Sequence, residues 1–216
     1  ATQNLEASIK QDDTFVGNVK IASPGSIGLK LYPYLLSVQQ QHPSLEIDYL
    51  FAPNSSIKQN LLDLKIDLGL VTQSPNNSNI LSEKVAEEPL VLVTSHKITK
   101  IDWMLLTKLG FISHPDAAEH ANQLLTKNFK EFEHIEQFQH KGFSNQISLI
   151  LAPVSLDLGF TVLPLHAALA FQQQNLIKIH ELTYPVRENL YLCVNRQSVQ
   201  YNRMKMIKST LREFLA

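Results

Sequence analysis

VKIASPGSIG, residues 19–28, joins an apolar alternation to a small polar turn marked by Pro24, Gly25 and Gly28. Val19 and Ile21 flank Lys20 as in a short strand, and beyond the turn Ile27, Leu31, Tyr34, Leu35 and Val38 recur at helical spacing. The turn therefore sits at a strand-to-helix junction. The first N–H groups of such a helix have no intrahelical acceptor and carry partial positive charge, and Ser23 and Ser26 add hydroxyls beside them. That combination suits a polar or anionic group; Ser26 acting only as a helix N-cap is the plainer alternative. Spacing excludes two sharper motifs. A nucleophile elbow needs Gly two places before and after its Ser, and Ser26 has Gly28 but Pro24. A P-loop ends on Gly-Lys-Ser/Thr, which is absent here.

The same alternation continues outward. LEIDYLF (45–51) sets Leu45, Ile47, Tyr49 and Phe51 against Glu46 and Asp48, as a half-buried strand does. After PNSS, with Asn54 and Ser55 as candidate caps, Ile57, Leu61, Leu62 and Leu64 form a short amphipathic helix before the strand DLGLV. PLVLVTS (89–95) reads as a continuous buried strand. The second stretch reads as a WMLLTKL helix, a GFIS strand, a helix over about 117–130, an IEQFQ strand, a helix opening at Ser144 and an LGFTVLP strand. NLYLCV and a terminal helix with Met204, Ile207, Leu211, Phe214 and Leu215 on one face close the chain. Strands alternating with helices at these lengths argue for parallel pairing in two α/β lobes, with ligands taken beyond the C-terminal strand ends.

Composition narrows the function. The 216 residues are 44% hydrophobic and carry a formal charge of −1, so no basic surface is expected to bind nucleic acid. The only arginines are Arg187, Arg196, Arg203 and Arg212, which leaves most of the chain without a guanidinium fork for a carboxylate or phosphate. Cys193 is the single cysteine and lies in an apolar run, so an intrachain disulfide is impossible and core packing is expected. No apolar run approaches the roughly 20 residues of a membrane span, and no signal peptide is visible. A chain that starts at Ala1 rather than Met leads us to expect residues upstream.

The residues also carry a family likeness. GNVKIAS, then YPYLLSVQQQHPSLEIDYLFAPNSSIKQNLLDLKIDLGLV, EEPLVLVTSHKI, VSLDLGFTVLPLHAA and LYLCVNRQ, in that order and spacing, resemble the effector-binding domain of LysR-type transcriptional regulators over about residues 15–215. The resemblance implies an α/β, type 2 periplasmic-binding-protein-like fold: two Rossmann-like subdomains joined by two crossing strands. Subdomain I would take 17–94 with 187–216, subdomain II 95–186, and residues 1–13 would be the remnant of a linker helix. Asp157-Leu158-Gly159 replaces the family's Gly-x-Gly, Lys65 stands where a Gly commonly precedes the Asp67 strand, and His96-Lys97-Ile98 replaces a His-Pro-Leu.

By the resemblance, Ser23, Pro24, Gly25, Ser26 and Ile27 line an effector cleft from the first lobe with Thr72, and Thr94 lies near the crossing strands. Ser113, His114, Phe143, Asn145 and Gln146 would answer from the second lobe. Two helix N-termini would favour a small carboxylate without arginine, and Ile27 and Phe143 would supply apolar walls. The implied protein is cytoplasmic and binds no membrane. It forms a homodimer, and a higher oligomer at full length, through the helix 26–41 and the helix 117–130, each with apolar positions beyond its core stripe. It touches DNA only through an N-terminal winged helix-turn-helix absent from this chain. No cofactor is expected. HPDAAEH (114–120) places His114, Asp116, Glu119 and His120 close together, but a His-x-x-Glu-His motif would need His at Asp116, so no metal site is expected. Asp63 and Asp67 read as turn and surface groups rather than an acid pair. A transporter's solute-binding protein shares the fold and is the alternative; no base–nucleophile pair supports an enzyme.

Overall fold

The computed structural model describes residues 12–216, so the expected linker remnant at 1–13 lies almost wholly outside the described residues. The chain forms two compact units, one of residues up to Glu87 with Asn189–Ala216, the other of Glu88–Glu188. The first unit contributes β1 (Gly17–Ser23), α1 (Gly25–Gln41), β2 (Leu45–Phe51), α2 (Asn54–Leu62) and β3 (Leu68–Val71). The chain crosses within β4 (Ile80–Ser95) to the second unit. There it runs through α3 (Trp103–Leu109), β5 (Phe111–Ser113), α4 (Ala117–Asn128), β6 (His140–Phe143), α5 (Leu151–Ser155), β7 (Thr161–Pro164), α6 (Leu165–Ala170) and β8 (Ile177–His180). It returns within β9 (Val186–Asn195) and ends in α7 (Asn202–Leu215).

In the first unit β1 pairs in parallel with β2, Val19 opposite Ile47, and with β3, Ala22 opposite Gly69. β9 then joins β3 antiparallel, Gly69 opposite Cys193, so the parallel expectation holds for three strands and the fourth makes the sheet mixed. Side chains alternate across the pleat. Val19, Ile21, Leu68, Leu70, Leu190 and Leu192 pack under α1 and α7, where Ile27, Leu31, Leu35, Met204, Ile207 and Leu211 meet them. Ala22, Val71 and Cys193 face the other way onto Ile57 and Leu61 of α2. The two periodicities read from the sequence thus interlock, and Phe214 completes its helix face by stacking on Tyr34 at 3.9 Å. Cys193 is a core residue whose thiol burial pushes up to about 12.

In the second unit β4 is flanked by β7 and β8, both antiparallel, with Leu92 opposite Val162 on one side and His180 on the other. β5 and β6 form a short parallel ladder. One core gathers Phe111, Phe138, Phe160, Leu106 and the α4 residues Ala117, Ala121, Leu124 and Leu125, with Trp103 packed against it.

Several expectations are corrected by local chemistry. IEQFQ is not a strand: Ile135–Gln137 forms a 3₁₀ turn because the Gln137 side-chain oxygen accepts from the backbone N–H groups of Glu133 and His134, at 2.7 and 3.2 Å. The strand begins instead at His140. No helix opens at Ser144. Pro153 has no N–H for the Leu149 carbonyl, which accepts from Ala152 in a tighter turn, and the helix is confined to Leu151–Ser155. α2 stops at Leu62, leaving Leu64 outside its apolar stripe. The core takes Ala117, Ala121, Leu124 and Leu125 of α4, so its outward positions Asn122 and Thr126 are polar and only Ala118 offers an apolar side chain beside them, in place of the expected apolar face. β8, α6 and the polar first half of β4 have no counterpart in the periodicity.

Candidate functional site

Ser23 ends β1 fully buried; its hydroxyl donates to the Pro24 carbonyl at 2.9 Å and accepts from the Tyr49 hydroxyl at 2.7 Å. Burial raises the Tyr49 pKa above the ordinary tyrosine value, with the Ser23 hydrogen bond opposing, so the phenol stays a neutral donor. Helix α1 begins before Ser26. Its N-cap is Pro24, extended at φ −61° and ψ 162° with no side-chain capping bond, which sets aside the reading of Ser26 as the cap. Ser26 lies in the first turn and is buried, as is Ile27, which joins the core under α1, while Gly25 is half-buried. The first turn holds no acidic residue, so no side chain of its own neutralises the partial positive charge there.

The next strand-to-helix turn repeats this design. Pro53 is the N-cap of α2, again without a side-chain capping bond. Asn54, free of capping duty, reaches Thr72: its amide nitrogen donates to Thr72 Oγ1 at 2.8 Å and its carbonyl oxygen accepts the Thr72 backbone N–H at 3.1 Å. The Thr72 hydroxyl therefore accepts there and keeps its own hydrogen to donate. Ser23 and Thr72 close neighbouring parallel strands, so the first unit brings Ser23, Pro24, Gly25, Ser26 and Thr72 to one edge of one sheet.

In the second unit Ser113 and Phe143 are register partners at the ends of β5 and β6, and the Ser144 N–H donates to the Ser113 carbonyl at 3.2 Å. Phe143 is 60% exposed, and Asn145 and Gln146 are exposed in the turn that follows. With no helix at Ser144, that turn offers no helix N-terminus, and only the first of the two expected anion-favouring ends is present. His114 is buried, and its Nε2–H donates to the Val162 carbonyl at 2.7 Å. Burial, then the charge of His120, lowers its pKa to about 4 against the Val162 bond, so this imidazole is neutral with Nδ1 as an acceptor. Thr94 is also fully buried. Its hydroxyl donates to the Ser95 carbonyl at 3.0 Å, which leaves His180 Nε2–H to donate back at 2.7 Å. Burial, then nearby Lys178, holds His180 at about 4.

The partners Tyr49, Asn54 and His180 escape the sequence analysis as site residues. Tyr49 and Asn54 are visible there only as an inward strand position and a candidate cap, and His180 lies 86 residues from Thr94 with no local signal. Among the described residues no three His, Cys, Asp or Glu side chains converge as metal ligands.

Residues 12–216 match the family model described as the LysR substrate binding domain. The chain belongs to that family. Solved structures share the fold of this LysR domain at low identity. The regulatory domain of CcmR from Synechocystis, solved in complex with 2-PG, is 13% identical with a TM-score of 0.77, covering 92% of this chain and 97% of that one. The effector-binding domain of QuiR in complex with shikimate is 18% identical, TM-score 0.72, covering 93% and 97%. A full-length OxyR variant from Pseudomonas aeruginosa is 15% identical, TM-score 0.79, covering 99% of this chain and 78% of that one. No curated protein sequence matches it. The LysR domain has the α/β, type 2 periplasmic-binding-protein-like fold expected from its sequence. Where the family's Gly-x-Gly would begin, Asp157 takes the left-handed conformation at φ 63° that a glycine adopts freely.

Proposed function

We propose that this LysR domain is the sensor of a transcriptional regulator: it binds a small-molecule effector and passes the resulting preference to DNA-binding domains outside this chain. The family match over residues 12–216 carries this reading and favours it over a transporter component. The solved relatives support a small-molecule ligand, since CcmR and QuiR were captured with 2-PG and shikimate. The effector site is assigned to Ser23, Pro24, Gly25, Ser26, Ile27 and Thr72 of the first unit, Thr94 on the crossing strand β4, and Ser113, His114, Phe143, Asn145 and Gln146 of the second unit. A carboxylate would sit against the first turn of α1, where the free Thr72 hydrogen adds a donor. Ser23 and Thr94 are sealed by Tyr49 and His180, so their part is to position the turn and strand that bear the contacts. We further assign subdomain I to 17–94 with 187–216 and subdomain II to 95–186, counting with subdomain I the crossing-strand residues 88–94 and 187–188, which belong to the second compact unit. The domain works as a cytoplasmic homodimer; α1 supplies the apolar contact through Leu36, 43% exposed, and α4 a polar one. Among the described residues no helix is long and apolar enough to cross a membrane.

The available switching energy is the difference in effector affinity between two states of the domain. A thermal-shift screen against small carboxylates, aromatic acids and amino acids tests the proposal, with Ser26→Ala and Gln146→Ala run in parallel. A ligand at 100 times its Kd should stabilise the parent by roughly 2.7 kcal/mol, and the effect should shrink in both variants. Shifts identical in parent and variants would move the site elsewhere. No saturable shift from any class would overturn the sensor reading.

A further inference from the structure

The second unit holds a buried pair, His120 with Glu188, to which the proposed effector site gives no role. His120 Nε2 donates to Glu188 at 2.9 Å, and the two side chains are only 5% and 3% exposed. His120 Nδ1 is buried with no hydrogen-bond partner. The ring is thus fixed from one side alone, by Glu188. The position of Glu188 is unusual: it is the last residue of the second unit before the chain passes, at Asn189, into the first. It lies on β9 with Val186 on the buried face, while Arg187 between them is exposed. We propose that His120 and Glu188 form a proton-operated latch that fastens the second crossing strand to α4 while His120 is protonated and loosens it when His120 is neutral.

The surroundings of His120 support charge on its ring. Facing it are Glu188 from β9, Glu119 from α4, Asp116 from the turn before α4, and His114 from the end of the β5 connection, ring centroids 5.6 Å apart. Burial alone lowers the His120 pKa; the Glu188 hydrogen bond and charge, then the charges of Asp116 and Glu119, outweigh it, so the pKa lies above the ordinary histidine value. His114 goes the opposite way, so the two imidazoles do not compete for one proton. Asp116 is raised, by burial first and by the charges of Glu188 and Glu119, with His120 opposing. Deprotonation of His120 leaves a neutral N–H facing a buried carboxylate with no counter-charge. The Nε2–H bond to Glu188 persists, but the ion pair is lost and the carboxylate's charge is then uncompensated in the interior; against the gain from the ion pair, the protonated ring carries a second N–H, at Nδ1, without an acceptor.

A pKa raised by the closed latch means that closure binds the proton: the latch is tight below the ordinary histidine pKa and opens progressively as pH rises through the raised value. Each unit by which closure raises the pKa corresponds to a tenfold change in the opening constant.

Two measurements on the same chain test this. NMR titration of the His120 imidazole should give a pKa above about 6.5, the ordinary value. Hydrogen exchange at the amides of 186–190, corrected for the intrinsic pH dependence, should show protection falling about tenfold per unit of raised pKa across that titration. In Glu188→Gln the His120 pKa should drop and the exchange profile flatten, whereas a variant at an exposed residue outside the pair, Met104→Gln, should keep the parent profile. A His120 pKa at or below the ordinary value, or protection at 186–190 unchanged through its titration, would overturn the latch. These readouts on the parent decide the matter even if Glu188→Gln does not fold, and they are independent of any effector.

Discussion

Leu64 shows how a single backbone conformation decides where a helix ends. After α2 the Lys65 N–H reaches back to the Asn60 carbonyl at 2.8 Å, closing a Schellman-type terminus with Leu64 in the left-handed position at φ 54°. Its side chain is 55% exposed, so no packing compensates the clash of its Cβ with the backbone. Leu64→Gly should therefore raise stability by about 1 kcal/mol, after the entropy cost of glycine is offset against the relieved strain. Urea denaturation checks it: a higher midpoint at unchanged slope is expected, and a lower midpoint would show that Leu64 contributes packing. The sequence counts Leu64 as one more apolar residue at helical spacing, because spacing records hydrophobicity and is silent on φ. Ser23 and Ser26 are legible as candidate site residues for a different reason, since the turn that holds them is contiguous. Their supporting contacts are not. Tyr49 lies 26 residues from Ser23 and Asn54 lies 18 from Thr72, and only the pairing of strands brings them together.

Where two elements press close, a glycine carries the contact. Gly69 in β3 lies under α2, and a Cβ there would stand 2.7 Å from Ile57 Cγ2 and 2.9 Å from Leu61 Cδ1, both on fully buried side chains. The Ile57 methyl sits on a β-branched carbon and has no rotamer in which to retreat. Gly69→Ala should cost about 1–3 kcal/mol by overpacking and lower the melting temperature by several degrees in calorimetry; a change within error would mean that α2 slides freely over β3. Elements of this kind were readable where one period ran unbroken, as in β1, α1 and α7. Periodicity misleads where a side chain or a proline overrides it: Gln137 turns the backbone at 133–134, and Pro153 denies a bond to Leu149. The first half of β4 escaped because its LSEK segment after Ile80 is exposed on both faces, so no alternation marks it.

At the scale of the molecule, the buried histidines among the described residues, His114, His120 and His180, all lie in the second unit and pull in opposite directions. His114 and His180 are held neutral, each at about 4, by burial first and by a neighbouring positive group second. Their contribution is complete above the unfolded value near 6.5 and is lost as pH falls from there toward 4. His120, raised by its acidic neighbours against the pull of burial, contributes fully below that unfolded value and loses its contribution as pH rises through its folded pKa. The second unit should accordingly be most stable near pH 6.5, flanked by an acid and an alkaline decline of separate origin. For the deeply buried His114 the acid limb is worth on the order of 3 kcal/mol once titration is complete. The molecule supplies its own reporter. Trp103 is its single tryptophan and packs among Phe129, Phe132 and Phe138 in the core of this unit. Melting followed by Trp103 fluorescence between pH 4 and 9 should trace the maximum. His114→Gln should make the acid limb shallower and leave the share of His180, since the Gln amide can still donate to the Val162 carbonyl without taking up a proton, and Glu188→Gln should flatten the alkaline limb alone. A variant that flattened both limbs together would show that the three histidines titrate as one coupled group, and the separate assignment of the two declines would fall.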